Sequence, residues 1–280
     1  VNDALWSAKA LFERPDLVRE VHLDYLRAGA DIVTSASYQA TVEGFMKRGF
    51  SEEKAAALIT KSVHLAQGAR DLYLAERGAD GAVPLVAASV GPYGAYLADG
   101  SEYRGDYDID EDALTTFHAE RLALLAAAEP DILACETLPC LVEARAIVRA
   151  LREKRVDIPA WFSFSCRDGA HISDGTEIAE CAQFLDGMPE AAAIGLNCTA
   201  PQYVEELICA IRHETAKPIL VYPNSGEHYD TSDQSWHGTA EDFGTTAQRW
   251  YAAGAHLIGG CCRTSPRMIA EIAAWTKEME

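Results

Sequence analysis

Seven short apolar runs constrain what this chain can fold into. They are Asp31–Ser35, Pro84–Val90, Asp131–Cys135, Ala160–Ser165, Ala192–Leu196, Pro218–Tyr222 and His256–Gly260. Each is apolar nearly throughout, as a strand buried on both faces must be. Each ends in a polar or Gly-rich loop, and helical patterns fill the intervals: Ser51–Arg77, Asp110–Ala128, Pro139–Lys154, Thr176–Leu185, Pro201–Thr215, Thr239–Ala253 and Ser265–Lys277. Strand alternating with helix predicts a parallel sheet. Seven such units in 280 residues approach the α/β architecture of a (β/α)8 TIM-type barrel, which takes ~250 residues. A further helical pattern, Asp16–Ala28, precedes the first run, where a barrel would place a strand before it. The expectation is therefore a single barrel domain over residues 1–280 whose first strand and loop are missing from these residues. No linker, low-complexity segment or domain break interrupts the pattern.

Composition narrows the function classes. Apolar residues make up 49% of the chain, enough for a sizeable core. The 24 Lys and Arg against 43 Asp and Glu give a net charge of −19. A nucleic-acid or anionic-membrane surface needs clustered basic residues, and none cluster here. The acidity reads as solubility. The longest apolar runs, such as Leu122–Ala128, fall far short of the ~20 residues of a membrane span. The opening Val1–Trp6 has no basic region leading into an apolar stretch, so no signal peptide is read there and a cytoplasmic location is expected. Eight cysteines are too few for a disulfide-dense scaffold and read as free thiols, catalytic groups or metal ligands.

In βα barrels function gathers on the loops after the strands. Those loops carry Tyr38, then Tyr93, Glu136-Thr137, Cys166-Arg167-Asp168, Asn197-Cys198, Asn224 just beyond Tyr222, and Cys261-Cys262-Arg263. Cys198 and the Cys261-Cys262 pair end two strands with one strand between them. Strands lie ~4.8 Å apart, so the backbones stand roughly 10 Å apart and inward side chains can close that gap on one ion. Three thiolates suit zinc, which is tetrahedral, binds sulfur at ~2.3 Å and keeps a fourth position open in catalytic sites. Adjacent cysteines cannot both face inward on a regular strand, so the strand must end at the pair, and Gly259-Gly260 permit the turn. Taken singly, Cys198 reads equally as a small buried hydrophobe, and Cys261-Cys262 as a vicinal redox pair. Cys135, Cys140, Cys166, Cys181 and Cys209 have no such company and read as core or surface thiols. Glu136 reads as an amine-binding carboxylate or a plain loop carboxylate. Tyr38, Tyr93 and Tyr222 line a pocket or merely pack. Asn224 reads first as turn chemistry, and His118 and His228 as structural. No phosphate-binding loop, dinucleotide fingerprint or hydrolase elbow is present.

Gly195-Leu196-Asn197-Cys198, followed far downstream by Gly259-Gly260-Cys261-Cys262-Arg263-Thr264-Ser265-Pro266, resembles the zinc-binding signature of the homocysteine S-methyltransferases. The stretch Ser89–Tyr107, with Ala134–Pro139 and Val221–Tyr229, is similar to the branch that uses S-methylmethionine or S-adenosylmethionine as donor. The resemblance covers essentially the whole chain. It implies a zinc ion held by Cys198, Cys261 and Cys262, a homocysteine-binding role for Glu136, and a position near the zinc for Tyr38. The family opens with a strand ending in Asp-Gly, upstream of Leu5–Lys9, which these residues do not include.

The resemblance further implies methyl transfer from a sulfonium to homocysteine, giving methionine. A free thiol is only a few per cent thiolate at neutral pH, and zinc coordination removes its proton. A sulfonium leaves readily, so no general acid is needed. The Gly91–Tyr107 loop is the candidate donor contact, its aromatic rings facing the cation. Two alternatives stay open: the same barrel with betaine or a corrinoid as donor, and a non-enzymatic zinc- or redox-binding barrel.

Overall fold

The computed structural model describes residues 5–78, 81–230, 235–237 and 242–279. Seven parallel strands form one sheet in the order β1-β2-β3-β4-β5-β6-β9. They are β1 (Ile32–Thr34), β2 (Leu85–Val90), β3 (Ile132–Leu138), β4 (Ala160–Phe164), β5 (Ala191–Asn197), β6 (Ile219–Tyr222) and β9 (Leu257–Ile258). A short antiparallel hairpin, β7 (His228–Asp230) with β8 (Ser235–His237), lies between β6 and β9 in sequence. The apolar-run pattern did not register it.

Among the described residues, the helices of nine residues or more are α1 (Pro15–Arg27), α2 (Glu52–Arg77), α3 (Glu111–Ala126), α4 (Leu141–Lys154), α5 (Ile178–Asp186), α6 (Val204–Glu214), α7 (Phe243–Ala253) and α8 (Pro266–Lys277). Their starts follow from local chemistry. Ser51 caps α2 by accepting the Lys54 N–H at 3.3 Å, and Asp110 caps α3 by accepting that of Ala113 at 2.9 Å. Pro15 and Pro266 open α1 and α8, where a missing N–H costs nothing. Helix α4 starts at Leu141 rather than Pro139, because β3 runs on to Leu138 instead of stopping at Cys135. Of the Thr239–Ala253 helix expected from sequence, residues 239–241 lie outside the described residues, as do the side chains of the β7–β8 hairpin, including that of His228.

Two apolar layers hold the fold. The larger lies between helices and sheet and includes Phe45, Leu58, Leu122, Ile147, Leu207 and Trp250. The smaller lies on the opposite face of the sheet, where Ala87, Ala134, Trp161, Ala193 and Leu220 from successive strands meet. A sheet with cores on both faces must have strands apolar on both faces, which is why the runs showed no alternation. Gly195 lies where β5 passes so close to β6 that a Cβ would overlap the Leu220 carbonyl.

The helical ring closes but the sheet does not. Tyr25 of α1 donates a hydrogen bond to the Thr264 carbonyl at 3.0 Å, and Gly29 approaches Ala273 of α8. Yet β1 and β9 do not pair among the described residues. Between their edges is a cavity of about 500 Å³, lined by Val33, Trp161, Leu220, Leu257 and Ile272 among others.

His22 also lines this cavity. It is buried, its Nε2 has no hydrogen-bond partner, and burial pushes its pKa down from 6.5 to about 4. Between those values the unfolded chain takes up a proton that the folded chain refuses, so stability falls as pH drops through the window. At 1.36 kcal/mol per pH unit this amounts to roughly 3 kcal/mol. Urea unfolding of wild type and His22→Phe should therefore show stability curves that diverge by about that amount between pH 7 and pH 4. Parallel curves would remove His22 from the account.

Candidate metal and substrate site

The C-terminal strand ends bring one group of side chains together. The bulge in β3 between Cys135 and Leu138 interrupts the ladder to β4. The Thr137 N–H, set free at φ +59°, is accepted by Asn197 Oδ1 at 2.7 Å. Asn197 Oδ1 also accepts from Ser163 Oγ at 2.8 Å, and Asn197 Nδ2 donates to Thr137 Oγ1 at 2.7 Å. One buried carboxamide thus pins the ends of β3, β4 and β5 in fixed register. Its Nδ2 also reaches Cys261 Sγ at 4.0 Å.

Above this lock stand three sulfurs. Cys198, Cys261 and Cys262 place their Sγ atoms within 4.8 Å of one another. Cys198 adopts φ +48° immediately after β5, and Arg263 adopts φ +66° immediately after the pair. Left-handed backbone in a non-glycine residue is uncommon and collects at functional sites. The strand-spacing estimate of roughly 10 Å is corrected here. The chain after β9 folds over the end of β6, with the Cys261 N–H on the Pro223 carbonyl at 2.8 Å and the Ser225 N–H on the Cys262 carbonyl at 3.1 Å. The Cα atoms of Cys198 and Cys261 consequently lie 5.5 Å apart, and the two residues are joined as a disulfide. Cys262 remains a free thiol, its Sγ 3.7 Å from that of Cys198.

The donor set fits a soft cation. A tetrahedral ion with metal–sulfur bonds of ~2.3 Å has sulfur–sulfur edges of about 3.8 Å, close to the Cys198–Cys262 separation. Three sulfurs select zinc or another thiophilic ion over magnesium or calcium. Reduction of the Cys198–Cys261 disulfide is required before all three can serve as thiolates.

Glu136 lies in β3 itself, not in the loop beyond it, and is buried. Its carboxylate accepts hydrogen bonds from the Ser89 hydroxyl and, at 3.0 Å, from Tyr222 Oη. Tyr222 Oη in turn accepts from Trp161 Nε1 at 3.0 Å and lies 2.6 Å from Ser163 Oγ. Burial pushes the Glu136 carboxyl up from the usual carboxylate range, and the two hydroxyls hold it back. Burial, reinforced by the Glu136 charge, raises the Tyr222 hydroxyl well above its ordinary value. The ring of Tyr38 lies against Gly91, where no side chain would fit, and its hydroxyl lies near Thr137, which follows Glu136. Burial raises that hydroxyl well above its ordinary value too.

The remaining sequence candidates divide. The Asn224 N–H donates to the Thr199 carbonyl at 3.0 Å, just past Cys198, while its Oδ1 is buried without a partner. Tyr93 belongs to a different neighbourhood. Its ring packs against Tyr96, Tyr107 and Phe117, and its N–H is held by Glu143 Oε1 at 2.6 Å. His118 is a buried core histidine, 2.8 Å from Glu143. Cys135, Cys140 and Cys181 are buried, Cys166 is half-buried and Cys209 is exposed. Sequence reasoning assigned no role to Ser89, Ser163, Asn197 or Thr137. Three of these were visible as polar residues in otherwise apolar runs, Ser89 at 89–90 near the end of β2, Ser163 in β4 and Asn197 at the end of β5.

The site is a three-sulfur centre with a buried carboxylate at the C-terminal ends of a parallel α/β sheet, an arrangement consistent with a TIM-type barrel. The family model described as homocysteine S-methyltransferase matches residues 1–276, and the chain belongs to that family. The homocysteine S-methyltransferase YbgG of Bacillus subtilis is 54% identical over 284 residues, spanning all of this chain and 90% of that protein. The Escherichia coli homocysteine S-methyltransferase is 51% identical over 281 residues, spanning 97% of this chain and 88% of that one. Among solved structures, the metallated form of the homocysteine methyltransferase MmuM from Escherichia coli superposes with a TM-score of 0.88 at 47% identity, over 98% of this chain and 89% of that chain. Its oxidized form superposes with a TM-score of 0.87 at 48% identity, over the same shares of each chain.

Asn197 carries the alignment of the strand ends, so its loss should be felt both in stability and at the sulfurs. Asn197→Ala leaves the buried Thr137 N–H without an acceptor, at a cost of about 1–3 kcal/mol. Denaturant unfolding should show that loss together with weaker metal retention in the reduced protein. Wild-type stability in the variant would contradict the role given to this side chain.

Proposed function

We propose that this protein transfers a methyl group from a sulfonium donor, S-methylmethionine or S-adenosylmethionine, to homocysteine, forming methionine. The observation that carries the reading is the convergence of Cys198, Cys261 and Cys262 within 4.8 Å, beside a buried Glu136. Membership of the homocysteine S-methyltransferase family supports it. The metallated form of MmuM, to which this chain is similar, supports a bound metal. The three cysteines would hold zinc, which when bound keeps a substrate thiol deprotonated at neutral pH.

The chain's own residues supply the rest. Glu136, with Ser89 and Tyr222 already donating to it, receives the homocysteine ammonium and fixes the substrate's orientation. Tyr38 and Tyr222 wall the space between that carboxylate and the sulfurs, and Asn224 closes the side next to Cys198. The homocysteine sulfur forms a bond to the methyl carbon as the donor's carbon–sulfur bond breaks. The electron pair stays on the departing sulfur, which becomes a neutral thioether, and the thiol proton passes to water. No general acid is needed, so catalysis consists of holding a thiolate and aligning two sulfurs about one methyl group. Tyr93 is assigned to shaping the Gly91–Tyr107 segment, since its contacts tie it to α3 and α4. We place the protein in the cytoplasm, where thiols are kept reduced. The cavity between β1 and β9 supports one more element: an eighth parallel strand, closing a single (β/α)8 barrel.

The test is methionine formation by reduced, zinc-loaded protein, with S-methylmethionine, S-adenosylmethionine, betaine and methylcobalamin supplied in parallel. Turnover is expected with a sulfonium and is expected to vanish with a zinc chelator. Cys198→Ser, Cys261→Ser and Cys262→Ser should each lose metal and at least a hundredfold in kcat/KM, on the order of 3 kcal/mol. Glu136→Gln should raise the KM for homocysteine roughly tenfold, matching one charge-assisted contact. Turnover with betaine alone, or turnover indifferent to the chelator, would overturn the reading.

A further inference from the structure

A second buried carboxylate stands at the C-terminal strand ends, and nothing yet described uses it. The segment between β2 and α3 contains two short helical turns, Tyr93–Leu97 and Ser101–Tyr103. Glu102 lies in the second. It is only 4% exposed, yet its Oε2 has no hydrogen-bond partner. The neighbouring Arg104 lowers its pKa through charge alone: that guanidinium hydrogen-bonds Asp106, at 3.1 and 3.2 Å. A buried polar atom without a partner costs on the order of 1–3 kcal/mol, and folded proteins seldom carry one without a use for it.

The backbone holds Glu102 where it is. Its carbonyl accepts from Ser165 Oγ at 3.3 Å, just beyond β4. Its N–H side packs against Gly94 so closely that a Cβ there would overlap it. Tyr38 feels the charges of both Glu102 and Glu136, and Tyr103 those of Glu102 and Cys262. Glu102 is thus anchored at the C-terminal strand ends beside β4, with Tyr103 next to it in sequence and Tyr38 close enough to feel its charge. Burial, with Asp99 adding like charge, pushes the Glu102 carboxyl up from the usual range, a cost that an arriving cation would return.

We infer that Glu102 recognises the positive sulfur of the methyl donor, as a buried counter-charge flanked by Tyr38 and Tyr103. The assignment rests on the sulfonium reading above. A sulfonium has no N–H to donate, so it selects a site by charge and by aromatic faces, and this corner offers both. The charge it recognises disappears as the methyl group leaves. Glu102 thus favours the bound donor, and a transition state that still carries much of the donor's charge, over the neutral thioether product. Its removal should weaken donor binding without slowing the chemical step.

The experiment compares wild type, Glu102→Gln and Glu102→Asp in reduced, zinc-loaded protein. Steady-state kinetics give KM for S-methylmethionine and for homocysteine, and competition gives the affinity for methionine, the donor's uncharged counterpart. Wild type should prefer S-methylmethionine to methionine at least tenfold. Glu102→Gln should raise the donor KM roughly 10- to 100-fold, leave kcat and the homocysteine KM within about threefold, and abolish the preference. Glu102→Asp should recover part of it. Equal affinity of wild type for the two ligands would overturn the assignment without any variant, as would equal losses for both in Glu102→Gln. Wild-type turnover with betaine but no sulfonium would overturn the donor reading and this assignment together. Sulfonium turnover indifferent to Glu102→Gln would overturn the assignment alone.

Discussion

The carboxamide of Asn197 spans the ends of three neighbouring strands, and the centre above them depends on it. Its oxygen takes the Thr137 N–H that the β3 bulge removes from the ladder, and its nitrogen reaches toward Cys261. Glu136 precedes Thr137 and Cys198 follows Asn197, so one side chain sets the separation of the buried carboxylate and the first sulfur. A carboxamide has two donors and two acceptor lone pairs in a plane, and here both sides are in use. An apolar residue of the same size would leave Thr137 unpaired and the bulge unsupported.

Two further constraints complete the site. Left-handed backbone at Thr137, Cys198 and Arg263 turns the chain sharply at three strand ends. Each such residue costs of order 1 kcal/mol or more, which the packed sheet below must offset. Electrostatics is the other. Glu102 and Glu136 are both buried and both raised by burial, and Tyr38 feels the charge of each. A pocket with two such groups is poorly suited to anions and well suited to ligands carrying positive nitrogen or sulfur. This is a more specific statement than the net charge allowed, since the acidity of the chain as a whole points to no particular ligand.

Much of this was legible in the residues. The seven runs correspond to the seven parallel strands because a strand covered on both faces is apolar at nearly every position. The two cysteine positions and the paired glycines located the centre, since they recur at strand ends. What was not legible depends on contacts between segments distant in sequence. The end of β3 was placed three residues early because Glu136 and Thr137 are polar, and their burial is only possible through Ser89, Tyr222 and Asn197. The close approach of Cys198 to Cys261 requires the crossing over β6, which no local pattern encodes. Tyr93 resembled a pocket residue because it follows a strand, but Glu143 of α4 and Phe117 of α3 draw it outward. Glu102 carried no signal in sequence, being one acidic residue in a loop with several.

The central claim is that three sulfurs of this chain hold one ion and leave its fourth position for the substrate's sulfur. X-ray absorption at the zinc edge of the reduced, metal-loaded protein tests it most directly, with and without homocysteine. The account predicts three sulfur neighbours at about 2.3 Å and one lighter atom, changing to four sulfurs when homocysteine is added. Fewer than three sulfurs in the loaded protein, or a first shell unchanged by homocysteine, would contradict it.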